Sequence, residues 1–146
     1  MFSFADLMNL YAIYTNTNPE NIPNVTFILT LPNSSTFAIK IDNLNAFKSF
    51  LSSILTNPDA IQTSSQVQTE INRNNIFNKM CCSSCNPSNF SNGVNIYDKF
   101  ISGFLNTLKN NGISLYRATD NVNGWEKLNP PLNSNSTVYT SSPCNN

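Results

Sequence analysis

Apolar and polar residues alternate along two short stretches of the chain, which is typical of β-strands that bury one face. Every second residue is apolar from 25 to 31 and again from 36 to 41, and the segment 32–35 between them contains turn-forming residues. These stretches predict a β-hairpin. Residues 113–118 and 125–128, joined by a loop rich in Asn, predict a second hairpin.

The first half of the chain also contains two amphipathic helix patterns. Apolar residues recur at helical spacing over 3–14, and Ser3 is a suitable N-cap for that helix. Asp42 or Asn43 is a suitable N-cap for the second helix, and Asn57-Pro58 is expected to stop it.

Two further helices are predicted in the middle of the chain. Residues 65–80 open with a capping box formed by Ser65 and Gln68, but their apolar positions are sparse. Residues 97–108 carry apolar residues at helical spacing throughout, and Asn111-Gly112 is a typical C-terminal cap. The second pattern is therefore the more regular of the two.

The order of these elements predicts an α+β fold. We expect a small, mostly antiparallel sheet built from two hairpins, at about 25–41 and 113–128, packed with three to four helices. The length of 146 residues fits a single domain, placed here at 1–128. The helix at 1–14 packs on that domain or reaches a neighbour as an arm. Residues 129–146 are rich in Asn, Ser and Thr and are expected to form an extended C-terminal tail.

The composition indicates a neutral, polar surface. The chain has 27 Asn, 18 Ser and 12 Thr, whereas charged residues make up 11% of it and the formal net charge is zero. Globular proteins usually contain roughly 25% charged residues. A net charge near zero promotes association between molecules, which suits a subunit of an assembly. An Asn-biased lineage is the alternative explanation.

Several kinds of activity are disfavoured by the residues the sequence lacks. The chain has no histidine, the commonest general base and a usual zinc ligand. Its carboxylates are spread singly, and the sequence has no glycine-rich phosphate loop. Arg73 and Arg117 are its only arginines, so there is no basic patch for nucleic acid. We expect a non-enzymatic protein without a cofactor, a nucleic-acid partner or an evident small-molecule substrate.

The sequence shows neither a membrane span nor a signal peptide. No run reaches the ~18 apolar residues that a span needs. Residues 1–6 have no basic region of the kind that opens a signal peptide. The low charge and the cysteines nevertheless favour a virion or extracellular location.

Four cysteines form the most unusual cluster in the sequence. Cys81, Cys82 and Cys85 lie close together, and Cys144 lies near the C-terminus. We expect structural disulfides, with Cys144 joined to Cys81 or Cys82 and the remaining thiol of that pair joined to Cys85. Three alternatives stay open: four free thiols, a zinc site with four thiolate ligands, and a small redox protein that uses Cys82 and Cys85.

Aromatic side chains are the candidates for binding a partner: Phe2, Phe4, Tyr11, Tyr116, Trp125 and Tyr139. Three of them lie in the N-terminal segment 1–14, and the others lie in the second hairpin or the tail. The first hypothesis is a structural or assembly subunit, such as a minor capsid, cement or fibre-associated component, that binds protein partners in a homo- or hetero-oligomer. The alternative is a secreted module that binds a glycan or a protein, with Trp125 and nearby tyrosines as the stacking residues.

Overall fold

A computed structural model describes residues 2, 4–31, 35–55, 57–59, 96–119, 123–131 and 139–144. This part of the chain forms helices and strands in the following order: α1 (Phe4–Asn16), a 3₁₀ helix (Pro19–Asn24), β1 (Phe27–Thr30), β2 (Thr36–Ile41), α2 (Leu44–Ser52), α3 (Ile96–Leu108), β3 (Ile113–Ala118), β4 (Trp125–Asn129) and β5 (Thr140–Pro143). The predicted α+β class is confirmed.

The strands form one antiparallel sheet in the order β1-β2-β3-β4-β5. The two predicted hairpins supply β1 with β2 and β3 with β4. Pairing of β2 with β3, from Phe37 opposite Arg117 to Ile41 opposite Ile113, joins the hairpins into one sheet. Two segments far apart in the chain thus share a continuous ladder.

The strand β5 lies within the segment predicted as an extended tail and was not anticipated as part of the sheet. It pairs with β4 from Glu126 opposite Pro143 to Asn129 opposite Thr140. All four of its residues are exposed. Because backbone hydrogen bonds to β4 hold this strand, its sequence needs no alternation of apolar and polar residues.

The hydrophobic core lies between the helices and one face of the sheet. On that face Ile39, Leu115 and Leu128 stand directly opposite one another on β2, β3 and β4, and all are buried. The helices cover them with buried side chains that belong to the same cluster: Phe4, Leu7, Leu10, Tyr11, Phe47, Leu51, Phe104, Leu105 and Leu108.

Local hydrogen bonds account for where the helices begin and end. The side chain of Asn43 accepts a hydrogen bond of 3.0 Å from the backbone N–H of Ala46, so Asn43 is the N-cap of α2. That helix ends at Ser52, earlier than predicted, but Ile54 and Leu55 after it stay buried in the core.

Other boundaries differ from the prediction by a few residues. The helix α1 continues to Asn16, whose side-chain amide donates to the carbonyl oxygen of Ala12 at 2.7 Å. The strand β1 covers Phe27–Thr30 rather than the whole of 25–31. The helix predicted over 65–80 lies outside the described residues.

Candidate functional site

Within the described residues the helices pack on one face of the sheet; we call the opposite face the helix-free face, a name that refers to the described helices alone. Side chains alternate between the two faces of a strand, so the register identifies its members. They are Ile28, Thr30, Thr36, Ala38, Lys40, Ser114, Tyr116, Ala118, Trp125, Lys127, Asn129, Thr140 and Ser142.

An apolar strip begins at the β1 edge of the helix-free face. Ile28 is 62% exposed, and it stands opposite Ala38, which in turn stands opposite Tyr116. Ala38 itself is buried, although it lies on this face. Because Ala38 is small, its larger neighbours on β1 and β3 form the accessible part of the strip.

Two aromatic residues lie on the neighbouring strands β3 and β4 of this face. Trp125 is opposite Ala118, and Tyr116 is opposite Lys127, so the two rings belong to diagonal neighbours across β3 and β4. Diagonal neighbours lie roughly 7–8 Å apart, within reach of aromatic side chains. Both residues are half-buried. Trp125 and Tyr116 therefore share one surface with Ile28.

A small polar cluster lies at one end of the face. Asp42 lies just after β2, and its carboxylate accepts a hydrogen bond from the hydroxyl of Ser114. Lys127 Nζ forms an ion pair with the same carboxylate, 3.3 Å from Asp42 Oδ2. Both charged side chains are about two-fifths exposed (43% and 42%), which makes this a weak surface ion pair. The pair neutralises Lys127, so Lys40 is the remaining charged member of the helix-free face.

Three of the predicted binding residues belong to the chain's own core. Phe2, Phe4 and Tyr11 are all at most 5% exposed. The ring of Phe2 lies 6.3 Å from that of Phe104, and the ring of Tyr11 lies 5.9 Å from that of Phe47 in an edge-to-face contact. In this structure the helix α1 packs on its own sheet, and these rings contribute to folding.

Tyr139 lies on the helix side of the sheet, away from Trp125. It packs against the core cluster, and its hydroxyl oxygen accepts a hydrogen bond of 3.3 Å from Arg117 Nη1. Arg117 also pairs with Glu126 at 2.9 Å across β3 and β4. Hydrogen bonding to the guanidinium lowers the pKa of Glu126. This group stabilises the helix side of the sheet.

A second charged cluster joins α1, α2 and the turn after α2. The hydroxyl of Tyr11 donates to Asp59 Oδ1 at 2.6 Å, and Lys48 Nζ lies 2.6 Å from Asp59 Oδ2. Burial raises the pKa of Tyr11 to about 12, and the hydrogen bond and charge of Asp59 add to the effect. Hydrogen bonds from Lys48 and Tyr11 lower the pKa of Asp59. The cluster thus favours a neutral tyrosine and an ionised carboxylate.

Of the four cysteines, only Cys144 lies within the described residues. It is exposed, its thiol is not bonded to another described residue, and its backbone N–H donates to the carbonyl oxygen of Trp125 at 3.0 Å. Cys81, Cys82 and Cys85 lie outside the described residues, so the disulfide pairing, the zinc alternative and the redox alternative stay predictions. Within the described residues no three His, Cys, Asp or Glu side chains are grouped closely enough to hold a metal ion.

Ile28 is the member of this face that the sequence-based selection of aromatic residues missed. The sequence does contain a signal for it. The residues that alternate with the apolar positions of this stretch are Thr26, Ile28 and Thr30, and Ile28 is the apolar exception among them. An apolar residue at such a position is expected on the outer face of a sheet.

The chain was also compared with known proteins. Comparisons with protein-family models, with curated proteins and with solved structures found no match. Among the described helices, none has the length and apolar character required to cross a membrane. The function is therefore inferred from the chain's own residues.

Proposed function

We propose that this chain is a non-enzymatic structural subunit, a minor capsid, cement or fibre-associated component of a virion or another extracellular assembly. It binds partner subunits through the helix-free face. The observation that carries this proposal is the arrangement of Ile28, Tyr116 and Trp125 on one face that has, among the described residues, a single ion pair, Lys127 with Asp42. Aromatic enrichment and few charges are typical of the centre of a protein interface.

Several copies of one contact, held together in an assembly, bind much more tightly than a single copy does. A subunit of a larger particle therefore needs no exceptionally tight contact through this face.

Sedimentation of native material tests the proposal. Material from the organism that makes the chain is fractionated without reducing agent, and the chain is detected in each fraction by mass spectrometry. We expect it to co-sediment in fixed proportion with a large particle. Recovery only as a free monomer, at high concentration and absent from every particle fraction, would refute the proposal.

A secreted glycan-binding module is the second candidate, favoured by the position of Tyr116 and Trp125 as diagonal neighbours. Aromatic rings stack on the apolar faces of sugars, while Asn129 and Lys127 on the same face supply hydrogen-bonding groups. A glycan array tests this candidate with wild-type protein, Trp125→Ala and the control Ile13→Ala on α1. Binding lost in Trp125→Ala alone supports it. A flat response from the wild type, or equal signals from all proteins, contradicts it.

A further inference from the structure

Strands β3 and β4 separate at the end of the sheet nearest the C-terminus of α3. The pairing of β3 with β4 ends at Leu115 opposite Leu128. Beyond that pair, β3 continues alongside β2 to Ile113, while β4 continues alongside β5 at Asn129. A cavity of about 220 Å³ opens between the diverging strands and the end of α3.

The floor of this cavity is apolar. It is lined by Leu105 and Leu108 from α3, Leu115 from β3 and Leu128 from β4, all of them at most 5% exposed in the folded chain. Pockets for drug-sized ligands measure roughly 300–1,000 Å³. The smaller volume here, together with an aliphatic lining, suits a short hydrocarbon chain.

The rim of the same cavity is polar and basic. Lys109, Asn110, Lys127 and Asn129 contribute to it, and no acidic residue is among its described lining residues. Lys127 is paired with Asp42, whereas the ammonium group of Lys109 has no partner among the described residues. Lys109 therefore places a positive charge next to the apolar floor.

The turn after α3 fixes the position of this rim. Asn110 has a φ of 63°, a left-handed conformation directly after Lys109, which is the first residue beyond the end of the helix at Leu108. The backbone N–H of Asn111 then donates to the carbonyl oxygen of Leu108 at 2.9 Å. The charged residue is thus held by a hydrogen-bonded turn at the mouth of the cavity.

We propose that this cavity binds a small amphipathic carboxylate, a short aliphatic chain that ends in a carboxylate group. The aliphatic chain contacts the leucines of the floor, and the carboxylate accepts hydrogen bonds from Lys109 and the amide of Asn110. The floor lies on the helix side of the sheet, whereas Lys127 and Asn129 of the rim also belong to the helix-free face, so the two proposed sites meet at these residues.

Titration of the full-length chain with sodium hexanoate, followed by NMR, tests the proposal. We expect saturable shifts at residues that line the cavity. Hexanol and inorganic phosphate, each lacking one half of the proposed chemistry, are expected to bind more weakly than hexanoate. Absence of saturable shifts with hexanoate would overturn the proposal. If hexanol bound as well as hexanoate, the charge would have no role. If phosphate bound as well as hexanoate, the leucines would have no role. Either result would overturn the proposal.

A pair of charge-removing variants identifies the binding lysine. Lys109→Gln is expected to weaken hexanoate binding by about threefold to tenfold, because it removes a charge-assisted hydrogen bond at a partly exposed site. Lys48→Gln, on α2 and outside the cavity lining, makes the same change of charge and is expected to leave the affinity unchanged. Circular dichroism checks that both variants fold. Equal affinities of the two variants would contradict the assignment of Lys109.

Discussion

Gly112 is the residue at which backbone geometry matters most. It has a φ of 74°, and its carbonyl oxygen accepts hydrogen bonds from the N–H groups of Asp42 at 2.8 Å and Asn43 at 3.1 Å. A Cβ placed there would collide with the backbone oxygen of Asn43 and would lie 2.9 Å from the backbone nitrogen of Phe47. Glycine is therefore required where the turn before β3 meets the start of α2.

Replacing this glycine tests the contact. Gly112→Ala is expected to lower the free energy of unfolding by about 2 kcal/mol or more, because it adds backbone strain and a steric clash. Gly124→Ala is the control, since its Cβ would lie 3.4 Å or more from Thr119; a change within about 0.5 kcal/mol is expected. Urea unfolding measures both. Similar losses in the two variants would contradict this explanation.

Tyr11 makes the free energy of unfolding depend on pH in the alkaline range. Its pKa is raised from 10.0 to about 12 in the folded chain, so the unfolded chain loses the phenolic proton first. The contribution of Tyr11 to the free energy of unfolding is fully present below pH 10 and is lost as pH rises toward 12.

Tyr11→Phe is therefore expected to have a smaller loss of stability over that pH range than the wild type. Thermal unfolding at a series of pH values measures the difference, with Tyr116→Phe on the helix-free face as the control. Identical alkaline profiles for the wild type and Tyr11→Phe would show that Tyr11 does not titrate as described.

Among the elements, β5 is held to the sheet by hydrogen bonds. Its pairing with β4 and the bond from the Cys144 N–H to the Trp125 oxygen involve backbone atoms, and none of them uses the thiol. Hydrogen exchange should therefore show a protected Cys144 amide in the wild type and equally in Cys144→Ser. Loss of protection in the variant would indicate that the thiol, through a disulfide, is what holds the strand.

Sequence patterns predicted the elements that bury one face and failed where burial is absent. The strand β2 shows alternation because Phe37, Ile39 and Ile41 all enter the core. The strand β5 is exposed throughout, so its residues follow no pattern that differs from a polar tail. The pairing of β2 with β3 was also beyond prediction, because strand order depends on contacts between distant segments.

The candidate site was only partly predictable for a related reason. Trp125 and Tyr116 were selected from the sequence, and the register places both on the helix-free face. Phe4 and Tyr11 form an apolar stripe on a terminal helix, and such a stripe looks the same whether it packs on its own sheet or on a partner. Only the three-dimensional arrangement distinguishes these cases, and here it puts both in the core.

At the scale of the whole molecule, the helices and the helix-free face lie on opposite sides of the sheet. Among the described residues each side carries one well-exposed large apolar residue: Ile28 on the helix-free face at 62%, and Ile13 on α1 at 47%. If the helix-free face binds partner subunits, a charge at Ile28 should disturb assembly, whereas the same charge at Ile13 should not. An unpaired charge buried in an interface is strongly unfavourable.

Incorporation of these two variants into the native particle is the most direct test of the structural role. Tagged Ile28→Glu, Ile13→Glu and wild-type chains are expressed in cells that make the particle, and mass spectrometry measures the ratio of particle-bound to free chain. We predict at least a tenfold lower ratio for Ile28→Glu and a wild-type ratio for Ile13→Glu, with all chains folded by circular dichroism. Equal incorporation of Ile28→Glu and wild type would contradict assembly through the helix-free face.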